Sequence, residues 1–96
     1  MRNRYIVSYD IRDPKRLRMV FNKMRGFGDP LQYSVFLCEL SQKEKVIMIS
    51  ALIEIINQMC DSVMIINTGW VEGDARNRIE LMGRQPDIRE RKAIVV

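Results

Sequence analysis

Tyr5-Ile-Val-Ser-Tyr-Asp10, continued by Ile11-Arg-Asp-Pro14, is the stretch that decides how this chain is built. Residues 4 to 11 are rich in Ile, Val and Tyr and carry apolar groups on both faces, the pattern of a central strand. The strand ends on a carboxylate, and Asp13-Pro14 then reads as the N-cap and first residue of a helix. Two readings of Asp10 stand from position alone. It is a metal ligand next to a positive surface, or it closes a buried strand and bonds turn amides.

Working outward, Leu17, Val20, Phe21 and Met24 recur at helical spacing and predict one apolar helix face with basic residues outside. Gly26-Phe-Gly28 stops that helix, and Asp29-Pro30 is expected to turn the chain. Residues 31–40 form a second strand region. Regular pairing puts Gln32, Ser34, Phe36 and Cys38 on one face and Tyr33, Val35, Leu37 and Glu39 on the other. Whether a bend splits this run into two strands stays open. Ser41-Gln-Lys-Glu44 is a capping box, and the helix it starts is expected to reach about Gln58. Its main stripe is Val46, Ile49, Leu52, Ile53 and Ile56, widened by Ile47 and Met48. Ser62 to Asn67 reads as another strand, extending toward Trp70 and Val71.

The order strand, helix, strand, helix, strand leaves room for a small extra strand before the second helix. That is the α+β arrangement called ferredoxin-like, βαββαβ, with two helices on one face of an antiparallel sheet. Its other face is left open, and a second copy is the obvious cover. Residues 1–96 are expected to form a single domain, with 72–96 as an extension that contributes to dimerisation. Within it, 72–77 read as loop and 78–82 as a short strand. Ala93-Ile-Val-Val96 is an apolar β-former expected to be buried as an added edge strand on a partner subunit.

Composition narrows the chemistry. Ninety-six residues, 47% of them apolar, suffice for one core. No run approaches the ~18 apolar residues of a membrane span, and the start of the chain leads into a strand rather than a signal peptide. Cys38 and Cys60 lack metal or redox spacing and are expected as free, buried thiols in a reducing cytosol. There is no histidine. That removes histidine-based nucleophilic pairs, general bases and metal ligands, so hydrolysis must rest on carboxylates with an oxygen-loving ion such as magnesium. Residues 12–25 hold six basic side chains against Asp13 alone, a local charge of +5 in a chain whose net charge is +4. Such a cluster suits a polyanion partner; the plainer reading is a solvated helix face.

Together, Tyr5-Ile-Val-Ser-Tyr-Asp-Ile11, Asp13-Pro-Lys-Arg16, Gln32-Tyr-Ser-Val-Phe-Leu-Cys-Glu-Leu40 and Asp61-Ser-Val63 resemble the CRISPR-associated protein two family. This is the small subunit used when prokaryotes store fragments of invader DNA. The resemblance spans about residues 4 to 71. It implies a ferredoxin-like fold, a cytoplasmic location and a homodimer in which two copies of Asp10 face one another and share a divalent cation, Mg2+ or Mn2+. It also implies metal-dependent cleavage of single-stranded RNA or double-stranded DNA, and a place between dimers of the CRISPR-associated protein one integrase. On this basis Asp10 is the metal-binding and catalytic residue, and Ser34 is a second catalytic candidate that donates to phosphate or positions water. Lys15, Arg16 and Arg18 are expected to hold the nucleic-acid backbone, and Tyr9 and Phe36 to support the site by packing. Asp29-Pro-Leu31 departs from the family pattern, since many members carry a basic residue there. Two alternatives are a non-catalytic scaffold that holds DNA and the integrase, and a small-ligand or regulatory module on the same fold.

Overall fold

The computed structural model describes residues 1–70 and 79–85. The order is β1 (Arg2–Asp10), α1 (Pro14–Met24), β2 (Gly28–Gln32), β3 (Val35–Ser41), α2 (Gln42–Ile55) and β4 (Ser62–Trp70). The strands form one sheet in the order β2-β3-β1-β4, and each neighbouring pair is antiparallel. This is the ferredoxin-like α+β fold.

The core follows from strand alternation. Tyr5, Val7 and Tyr9 of β1 and Phe36, Cys38 and Leu40 of β3 point to one face. Val20 and Met24 of α1 and Met48 and Leu52 of α2 join the same buried cluster, so both helices cover that face. The opposite face carries Ile6, Val35 and Leu37, with Met64 55% and Ile66 43% exposed on β4.

Each helix starts where its cap chemistry directs. The Asp13 carboxylate accepts from the Arg16 amide at 2.9 Å, and Pro14 occupies the first turn, where its missing N–H leaves nothing unpaired. At α2 the capping box is complete. Glu44 N–H donates to Ser41 Oγ at 3.2 Å, and Ser41 N–H donates to Glu44 Oε1 at 2.8 Å.

Several expectations are corrected. Asp29-Pro30 does not turn the chain. Both lie in β2, an edge strand, where a proline costs no sheet bond on its outer side. The open question about residues 31–40 resolves into two strands, parted at Tyr33-Ser34. Gly28 admits no side chain, because a Cβ would stand 2.4 Å from the Leu37 carbonyl oxygen. The buried face of α2 is Met48 and Leu52, flanked by Ile49, Ile55 and Ile56; Val46 and Ile53 are 54% and 51% exposed. The apolar residues of this helix after Lys45 are spread over several of its sides, so periodicity alone cannot choose the face that the sheet will take.

Furthermore, α2 stops at Ile55 rather than Gln58. Asn57 Oδ1 accepts from the Met59 amide, and the Asn57 N–H donates to Asp61 Oδ2, which captures the backbone into a turn. Cys60 lies in that turn and is exposed, whereas Cys38 is buried as expected. Residues 79–82 carry no strand; Gln85 Nε2 instead donates to the carbonyls of Met82 and Gly83. β4 does reach Trp70, with a bulge at Thr68 that Gly69 permits through its φ of 103°. Val71, the expected loop at 72–77 and the terminal strand at 93–96 lie outside the described residues.

Candidate functional site

Asp10 is the last residue of the central strand β1 and is exposed. Tyr5, Val7 and Tyr9 point toward the helices, so Ile6, Ser8 and Asp10 share the other face with Met64 and Ile66 of β4. The strand partner of Asp10 is Ser62. The carboxylate therefore stands at the margin of the open apolar sheet face.

The residue before it locks the neighbouring turn. Tyr9 N–H donates to the Ser34 carbonyl at 3.0 Å, and its phenol donates to the Tyr33 carbonyl at 2.6 Å. Burial pushes the Tyr9 phenol above its ordinary pKa, which keeps it a protonated donor. Phe36 is fully buried and packs against the Tyr9 ring at 6.3 Å between centroids. Both aromatic residues are thus packing groups, as expected. Ser34, half-buried, comes to the same end of the sheet as Asp10.

Of the three basic candidates, Lys15 and Arg18 are exposed and have no ion-pair partner among the described residues. Arg16 differs. Its Nε donates to Asp61 Oδ2 at 2.8 Å and a terminal nitrogen donates to Oδ1 at 3.2 Å, a two-pronged pair. The guanidinium is held by Asp61 rather than standing free beside Lys15 and Arg18.

Asp61 is the residue that sequence reading left without a role. Its side chain has no exposed surface. Besides Arg16 it accepts from the backbone amides of Arg12 at 2.9 Å and Asn57 at 2.8 Å. One carboxylate thus ties together the loop after Asp10, the first turn of α1 and the turn after α2. The hydrogen bond from Arg16 is the main cause that holds its pKa far below the usual carboxylate range, with the two amides assisting and burial opposing. The same contact raises the Arg16 pKa. Asp61 immediately precedes Ser62, so this clamp sits directly against the strand position of Asp10. The only advance signal was its place in the Asp61-Ser-Val63 segment.

Among the described residues no three carboxylate or thiol side chains group as a metal site. One chain offers a divalent ion Asp10, the nearby Ser62 hydroxyl and backbone carbonyls, too few oxygens for a six-coordinate cation without waters or a second copy.

Comparison with known proteins gives a consistent picture. Residues 2–72 match the family model described as CRISPR associated protein Cas2. A CRISPR-associated endoribonuclease Cas2 of Rhodospirillum rubrum is 38% identical over 92 residues, covering 96% of this chain and 89% of that protein. One from Geobacter sulfurreducens is 40% identical over 96 residues, the full length of both. A crystal structure of Streptococcus pyogenes Cas2 superposes with a TM-score of 0.71 at 30% identity, over 83% of this chain and 99% of that one. A hypothetical protein from Thermus thermophilus does so with a TM-score of 0.74 at 26% identity, over 90% and 96%.

Proposed function

This chain belongs to the CRISPR associated protein Cas2 family, and from that premise we propose that it is a metal-dependent endoribonuclease subunit of spacer acquisition that works as a homodimer. The observation that carries the reading is the placement of Asp10, exposed on the same sheet face as Met64 and Ile66. A second copy that covers this face by two-fold symmetry uses the same patch on both subunits. It would bring its own Asp10 to the same margin. Two carboxylates, with waters and a phosphate oxygen, form a donor set suited to Mg2+ or Mn2+.

In that site each residue has a defined task. The paired Asp10 carboxylates would hold the cation, whose charge would offset their mutual repulsion. When bound, it supplies Lewis-acid polarisation of the scissile phosphate and an activated water. Lys15 and Arg18 contact backbone phosphates of the bound strand. Ser34 donates to a phosphate oxygen or orients the water. Arg16 acts through Asp61, keeping the loop after Asp10 in place. RNA is the substrate indicated by the relatives' name, endoribonuclease; double-stranded DNA fits the same phosphate contacts.

A second reading has its own observation. Val46, Ile47 and Ile53 are about half-exposed on the outer side of α2, which covering the open sheet face would leave bare. That surface suits a protein partner and thus a dimeric scaffold between integrase dimers. The small-ligand module is less favoured. The groove at the far end of the sheet is lined by Arg2, Glu39 and Glu44, but Arg2 is already engaged by the Glu44 carboxylate and the Glu39 carbonyl.

The deciding experiment compares stringently purified wild type and Asp10→Asn on single-stranded RNA and duplex DNA, with and without chelator. The expected result is metal-dependent cleavage by the wild type, lost on substitution while dimer mass is unchanged. Equal cleavage by both proteins would assign the activity elsewhere. No cleavage by either, with nucleic-acid binding kept, would select the scaffold.

A further inference from the structure

Beside the phosphate-facing residues lies a groove that the chemistry above does not use. It measures about 420 Å³ and is lined by Pro14, Leu17, Arg18, Phe21, Tyr33 and Ser34. That volume falls within the roughly 300–1,000 Å³ of small-molecule sites. Resting on the nucleic-acid reading, we infer that this groove is a nucleobase subsite, with Tyr33 as its stacking platform.

Tyr33 is 72% exposed, unusual for so large a ring in a chain that buries its other two tyrosines. It does not dangle. Its carbonyl is held by the Tyr9 phenol, and the next carbonyl by the Tyr9 amide. Its ring stands 6.0 Å from that of Phe21, tilted by 40°. Phe21 is braced in turn by an edge contact with Phe36 at 5.4 Å and by the Arg25 guanidinium at 4.7 Å. The result is an aromatic wall in a groove that Leu17 also lines, a residue 39% exposed although it belongs to the apolar stripe of α1. A groove lined by an aliphatic side chain and an exposed aromatic ring suits a flat, apolar-faced ligand.

The charge selects which flat ligand. Arg18 lines the same groove and has no ion-pair partner among the described residues. Lys15 lies on the same first turns of α1, within the +5 segment. A cationic rim against an apolar slot is complementary to a nucleotide, with the base inside and its phosphate on Arg18. Ser34 belongs to both the groove and the end of the sheet that carries Asp10, so the base would adjoin the phosphate being cleaved. Bases in a duplex are stacked on one another and cannot enter; a single strand can splay one out. The subsite therefore predicts a preference for single-stranded RNA without strong base identity, since every base has a face to stack.

The test uses a fluorescein-labelled RNA dodecamer and its abasic ribose-phosphate counterpart, titrated by anisotropy in chelator against wild type, Tyr33→Ala and Tyr33→Trp. Wild type should bind the base-bearing strand roughly tenfold more tightly than the abasic one. Tyr33→Ala should lose that difference while keeping its affinity for the abasic strand, and Tyr33→Trp should keep the difference. The hydrogen bond to residue 33 uses its backbone carbonyl and survives these changes, and a thermal melt of each variant checks that losing the ring contact with Phe21 leaves the fold intact. Equal binding of both strands by the wild type, or a full preference in Tyr33→Ala, would overturn the subsite alone. Dissociation of the dimer in Tyr33→Ala would reassign the groove to subunit contact. Failure of the wild type to bind either strand would overturn the nucleic-acid reading as well.

Discussion

Two aspartates with opposite surroundings carry most of the meaning at the scale of single residues. Asp10 is exposed and free to meet a cation, whereas Asp61 is enclosed and accepts four hydrogen bonds from Arg16, Arg12 and Asn57. A carboxylate whose folded pKa lies below its unfolded value stabilises the fold above the unfolded pKa, about 3.9 for aspartate, and loses that contribution as pH falls. Thermal melts of the wild type should therefore weaken steeply from about pH 5 downward. Asp61→Asn leaves Arg16 without its counter-ion and should lower the melting temperature at pH 7 by roughly 10 °C, with a flatter acid dependence. Glu44, whose pKa is lowered chiefly by the Ser41 amide, adds to the acid sensitivity and remains in that variant. An unchanged melt in Asp61→Asn would show that the clamp contributes nothing to stability.

The helices and the turns that enter them are the next scale. The first turns of α1 present Lys15 and Arg18 outward, while Asp13 and Asp61 hold the backbone from beneath. Replacing Lys15 and Arg18 together by Gln removes the two proposed phosphate contacts and no core packing. Binding should weaken alike for all sequences, and the slope of log affinity against log salt should fall by about 1.4 to 1.8. Anisotropy titrations at four salt concentrations measure it, and an unaltered slope would move the polyanion surface off α1. At α2, Ser41→Ala removes one half of a complete capping box and should cost about 1 kcal/mol. Urea unfolding reads that directly, with the midpoint shifted and the slope unchanged.

For the whole molecule the open sheet face is decisive. One helical layer covers one side of the sheet, and Met64 and Ile66 face outward on the other with Asp10 at their edge. In the proposed dimer, Ile66→Asp places a charge in that face on both copies at once. It should weaken dimerisation by at least about 100-fold and abolish metal-dependent cleavage, while the monomer keeps its fold because Ile66 lies outside the helical core. Sedimentation velocity with far-UV circular dichroism separates these effects. A dimer of undiminished mass would place the contact on another surface, such as the outer side of α2.

Local patterns in the sequence determined what local forces determine. The apolar strand at residues 4–11, the Asp13-Pro14 entry and the Ser41–Glu44 box each act within a few residues, and each stands in the structure as it reads in the sequence. Asp10 and Ser34, singled out in the sequence, lie at one end of the sheet. Only the tertiary structure decided which side of α2 is buried, since apolar residues spread over several sides of a helix set no preferred face until the sheet supplies one. It also decided that Pro30 sits in an edge strand, because an edge is defined by the absent neighbour. The largest change concerns Arg16. In the sequence it is one more cation in a basic run; in the fold it meets a carboxylate 45 residues away. Charge composition records how many cations there are, but burial and long-range pairing decide which of them remain free to meet a phosphate.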